Sequence, residues 1–126
     1  MANKSKIERY LVSLSLTYEE LAEDTWVIND ADAGLENVVV VLADLVVIVR
    51  VKVMTAPHQR REAFLEQLLR LNATDVIHGA YGLDGDDVLL LNTLVSETLD
   101  VEEFQATLDS FGLALAQHYP ILAAYR

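Results

Sequence analysis

The chain contains no cysteine, which excludes disulfide staples, thiolate nucleophiles, zinc ribbons and iron–sulfur ligation together. Only two prolines occur, Pro57 and Pro120, each standing alone, so no proline-rich linker divides the chain. Basic residues run out early: from residue 71 to 125 there are nine acids and no Lys or Arg. Twenty Asp and Glu against nine Lys and Arg leave a formal charge of −11, a field that repels phosphate backbones. Direct nucleic-acid binding is therefore not expected. Nor is any apolar run long enough for a membrane span: Val38 to Val49 is about half the length a bilayer needs and carries Asp44 at its centre. The first twenty residues hold no signal-peptide core, because Glu8, Arg9 and Tyr10 interrupt it, and a cytoplasmic protein is expected.

What is present suffices for one domain. The 126 residues are 52% hydrophobic and 23% charged, a composition that can fill a single core without staples. Charge is uneven: Leu45 to Arg70 holds five bases (Arg50, Lys52, Arg60, Arg61, Arg70) and two acids (Glu62, Glu66). The middle of the chain is basic and its C-terminal half acidic.

Ile7, Tyr10, Leu11 and Leu14 share a helical face, and Ser5 with Glu8 has capping-box spacing, which predicts a first helix over 5–15. Leu16 to Asp24 carries two signals. Thr17 with Glu20 is another capping box, whereas Leu16, Tyr18 and Glu20 alternate with Thr17, Glu19 and Leu21; the reading leans to an extended segment. Thr25 to Asn29 reads as a strand, followed by the turn residues Asp30, Asp32 and Gly34. Asn37 to Leu42 and Leu45 to Met54 are valine-rich runs joined too closely for a crossover helix, so they must pair as a hairpin. A second helix spans Gln59 to Asn72, where Phe64, Leu65, Leu68, Leu69 and Leu71 cover an arc of roughly 160°. Val76 to Leu83 and Val88 to Val95 flank an Asp-Gly turn and form a second hairpin. Asp100, with Glu103 three residues on, caps a last helix whose stripe runs from Val101 to Leu115 before Pro120 disturbs it. The fold class is α+β: an antiparallel sheet of five strands, six if the stretch before Thr25 joins, with three helices in the order α-β-β-β-α-β-β-α.

The strands hold more apolar surface than such a sheet hides. A half-buried strand alternates apolar and polar residues, yet Val38 to Leu42, Leu45 to Val49 and Val88 to Leu91 are apolar on both faces. Three helices cover roughly one face of a five-stranded sheet. Leaving even ~400 Å² of the other face wet forgoes on the order of 10 kcal/mol. A second copy meeting through Phe64, Leu65, Leu68 and Leu71 is the expected cover, with a segment of a protein partner on outward strand positions such as Val46 and Ile48.

Catalytic templates are missing: there is no P-loop, no G-x-G-x-x-G after a strand, no H-E-x-x-H and no G-x-S-x-G. His58, His78 and His118 stand 20 and 40 residues apart, without an i, i+4 partner, and none is assigned to a metal. Asp84, Asp86 and Asp87 fail the EF-hand spacing, since position 12 counted from Asp84 is Val95. Trp26 reads as a core anchor. No catalytic, cofactor-binding or metal-binding residue is assigned, and no cofactor is expected.

Thr25-Trp26-Val27-Ile28, the hairpin through Leu45 to Met54, the helix ending Leu68-Leu69-Arg70-Leu71-Asn72, and His78-Gly79-Ala80-Tyr81-Gly82-Leu83 before an acidic turn together resemble the bacterial YbjN family over nearly the whole chain. That family is related in fold to type III secretion chaperones, small acidic dimers that hold extended client segments. The resemblance implies dimerisation and binding without turnover. The function expected is a non-enzymatic chaperone-like or adaptor module that dimerises and masks a segment of a protein partner. The alternatives are a sensory or transcriptional regulator acting through protein contacts, and a small-ligand binder.

Overall fold

A computed structural model describes residues 2–126, with side chains from residue 6 onward. The order is α1 (Ala2–Ser13), β1 (Tyr18–Ala22), β2 (Thr25–Asp30), a 3-10 turn (Ala31–Ala33), β3 (Leu35–Ala43), β4 (Val46–Thr55), α2 (Arg61–Thr74), β5 (Ala80–Asp84), β6 (Asp87–Val95) and α3 (Val101–Ala123). The six strands form one sheet, ordered β1-β2-β3-β4-β6-β5, with every neighbouring pair antiparallel. The extended alternative for 16–24 is the one adopted, and β1 is the sixth strand. Asp30 decides it: its Oδ2 accepts the Thr17 amide at 2.9 Å, while its Oδ1 accepts the Ala33 amide at 3.2 Å.

Hairpin turns set the register. Gly85, at φ 60, begins the two-residue β5–β6 loop, and Asp44, also at φ 60, begins the β3–β4 loop; positive φ there matches the twist of the flanking strands. Pairing Trp26 with Val40, Val40 with Val49 and Val49 with Asn92 places these side chains on one face. Asn92 donates to Thr107 Oγ1 of α3 at 3.1 Å, which marks that face as the helix side.

All three helices contribute to a single core on it. Ile7 and Leu11 of α1, Phe64, Leu68 and Leu71 of α2, and Phe104, Leu108, Phe111 and Leu122 of α3 pack with Trp26, Ile28, Val38, Val40, Val47, Val49 and Leu90. Full burial of each such side chain stabilises by roughly 1.5–3 kcal/mol. Lys6 Nζ donates to the Ser96 carbonyl and the Tyr10 hydroxyl to that of Leu99, which tie α1 to the loop between β6 and α3.

Three boundaries move by more than two residues. α1 already runs from Ala2, so Ser5 is interior to it, and the Ser5 side chain expected to cap it lies outside the described residues. β5 starts at Ala80, leaving 76–79 as loop. α3 continues through Pro120 to Ala123: the missing amide falls in the last turn, where the ring is exposed and only one ladder bond is lost.

Candidate functional site

Strand alternation sends Val27, Val39, Val41, Val46, Ile48, Leu89 and Leu91 to the face opposite the helices. None of the seven belongs to the core cluster or packs against it, and among the described residues no helix lies over them. They form a band across β2, β3, β4 and β6 in which Val27 is buried and the other six are partly shielded by their neighbours on the pleat. Val46 and Ile48, expected to point outward, both sit in this band, paired across to Val95 and Thr93.

The expected self-contact residues are placed differently. Phe64, Leu68 and Leu71 point into the subunit's own core and are buried, because the α2 stripe faces β5 and the end of α3. Phe64 packs edge-on against Tyr125, with ring centroids 5.5 Å apart. Leu65 is half-buried, and Leu69, which the expected contact omitted, is 68% exposed. These two border an apolar groove of about 290 Å³ between α2 and β5, completed by Leu68, Asn72, Tyr81, Gly82 and Leu83. A larger, shallower groove of about 710 Å³ runs beside Tyr10 and Val12 of α1, Tyr18 of β1 and Val101 of α3.

From Tyr81 in the wall of the α2–β5 groove a polar chain runs through buried His118 to exposed Asp75. His118, 1% exposed, accepts or donates at both ring nitrogens: Nδ1 lies 2.7 Å from the Tyr81 hydroxyl and Nε2 lies 3.2 Å from Asp75 Oδ2. A carboxylate only accepts, so Nε2 carries the proton toward Asp75 and Nδ1 takes the Tyr81 O–H. Burial pushes the Tyr81 hydroxyl up to about 12, with the Asp75 charge adding to it. The Thr74 hydroxyl, then the His118 ring, hold the Asp75 carboxyl below the ordinary carboxylate value. Tyr81 also receives the Asn72 side chain at its amide and carbonyl, 2.7 and 3.2 Å away. The chain locks β5, the end of α2 and α3 together, and its polar atoms are spent on one another.

The acidic turn is likewise occupied: Asp86 pairs with Arg61 at 3.1 Å and Asp87 with Lys52 at 3.2 Å. His58 and His78 are exposed. Among the described residues no group of three or more His, Asp and Glu gathers to hold a metal, and no helix is long and apolar enough to cross a membrane.

A single antiparallel sheet with helices on one side and a half-buried apolar band on the other defines a class of α+β binding subunit. The CesT_Tir_1 family model, that of the type III secretion chaperones, matches residues 1–126, and the chain belongs to this family. Solved structures similar in fold include the HopA1–SchA chaperone–effector complex, with a TM-score of 0.68 at 12% identity, covering 95% of this chain and 97% of that one. The ExoU–SpcU complex of the Pseudomonas aeruginosa type III secretion system gives 0.66 at 14% identity, covering 92% and 97%. YbjN from E. coli gives 0.64 at 10% identity, covering 90% and 89%. A comparison with curated proteins gives no match.

Proposed function

We propose that this chain is a non-enzymatic, cytoplasmic chaperone-like module, a homodimer that holds a segment of a protein partner on the open face of its sheet. The observation that carries this reading is the band from Val39 to Leu91, apolar and half-buried, which lies outside the core that the helices close. Membership of a chaperone family supports it, and so does the HopA1–SchA neighbour, itself a chaperone–effector complex.

The direct test is retention of a bound segment. Protein purified from its native host and analysed by mass spectrometry is expected to carry a peptide or protein that the Ile48→Asp variant, equally folded by circular dichroism, has lost. Equal retention by both would end the reading.

The second copy is assigned to the α2–β5 groove, through Leu65 and Leu69. Leu69→Asp is expected to give a folded monomer in light scattering. Leu68→Asp puts a charge into the core and costs several kcal/mol of stability instead. A dimer unchanged in Leu69→Asp would remove the groove from the assignment.

A further inference from the structure

The open face is not uniformly apolar. Arg50 stands in its middle, on β4, in the cross-strand row Glu19–Val27–Val39–Arg50–Leu91–Ala80. Its neighbours along β4 on the same face are Ile48 and Lys52, and its lateral neighbours are Val39 and Leu91. Lys52 has a partner in Asp87. Arg50 is exposed and pairs with no carboxylate among the described residues. The acids of this face lie at its margins: Glu19 on the edge strand β1, three strands and about 14 Å from Arg50, and Asp84 and Asp87 at the turn of the other edge.

A cation in that position constrains whatever covers it. A purely apolar segment laid across the band would strip water from the guanidinium and return nothing, a penalty that grows with the quality of the fit. A carboxylate at that point converts the penalty into a two-pronged, charge-assisted contact, for which the planar guanidinium is suited. A second copy of this chain answers the need poorly. In a two-fold contact over this face the central residues meet their own counterparts, which brings Arg50 toward Arg50.

We infer that the open face selects an extended, apolar segment of a foreign protein that carries one Asp or Glu where it crosses Arg50. The inference rests on the reading of this face as the docking surface and adds the chemistry of its occupant. The net charge of −11 sharpens the choice, because the long-range field disfavours segments that are acidic throughout.

The probe is a set of synthetic 12-residue peptides with alternating valine and serine, carrying Glu, Gln or Lys at the central positions, titrated by fluorescence anisotropy. Wild-type protein is expected to bind the Glu peptide at least tenfold more tightly than the Lys peptide. Arg50→Glu is expected to reverse that order, and Ile48→Asp to bind none of them. An order unchanged by Arg50→Glu, with binding still abolished by Ile48→Asp, overturns the role of Arg50 and leaves the docking face standing. No binding by wild type, or binding untouched by Ile48→Asp, overturns both. A dimer that Ile48→Asp converts to monomer in sedimentation would assign the face to a second copy and overturn the inference.

Discussion

Gly79 sits at φ 137, where L side chains are strained, and a Cβ placed on it would stand 2.9 Å from the Leu91 carbonyl oxygen and 3.2 Å from the Phe111 ring. Neither backbone nor a buried ring can retreat cheaply, so Gly79→Ala is expected to cost ~2–4 kcal/mol, read as a lower urea midpoint at unchanged slope. The Tyr81–His118 contact makes a pH-dependent prediction. With the folded hydroxyl near 12 against about 10 when unfolded, the unfolded chain releases its proton first. The stabilisation is complete below pH 10 and is lost as pH rises toward 12, a swing of about 2–3 kcal/mol. Tyr81→Phe, with no proton to release, is destabilised at pH 8 by ~1–3 kcal/mol through the orphaned His118 Nδ1, and its deficit narrows between pH 10 and 12 in denaturation curves. Asp75 works in the opposite direction: its lowered carboxyl contributes above the ordinary carboxylate range and loses that contribution in acid. None of this was legible beforehand, because Tyr81 and Asp75 lie 37 and 43 residues from His118 and only the fold brings them together.

Short-range signals read truest. Asp100 accepts the Glu103 amide at 2.7 Å, as the spacing predicts, and Asp100→Ala is expected to cost about 1 kcal/mol in thermal or urea unfolding. The Asp-Gly hairpin and the valine hairpin were equally plain, since two-residue loops fix their own register. The segment from Leu16 to Asp24 was ambiguous because its two patterns overlap residue for residue, and the bond that settles it comes from Asp30, thirteen positions away from Thr17. On α2 the wide leucine arc was plain, but not which part of it faced inward. The wheel gives relative angles, while the core takes Phe64, Leu68 and Leu71, packs Leu65 at its edge and leaves Leu69 exposed.

Uneven patterning along the chain becomes uneven patterning in space. The two-faced runs Val38–Leu42 and Val46–Val49 occupy the centre of the sheet, with Val38, Val40, Val47 and Val49 beneath the helices and Val39, Val41, Val46 and Ile48 on the bare side. That imbalance was visible as apolar residues at consecutive positions; the lone Arg50 among them was visible too, but its isolation depends on knowing that Glu19 ends up strands away. If, as proposed, a partner segment covers the side that the helices leave open, the melting temperature of this subunit depends on its occupancy as well as on its sequence. A ligand present at a hundred times its dissociation constant adds about 2.7 kcal/mol to the folded form, so calorimetry on laden and empty preparations doubles as an assay for cargo.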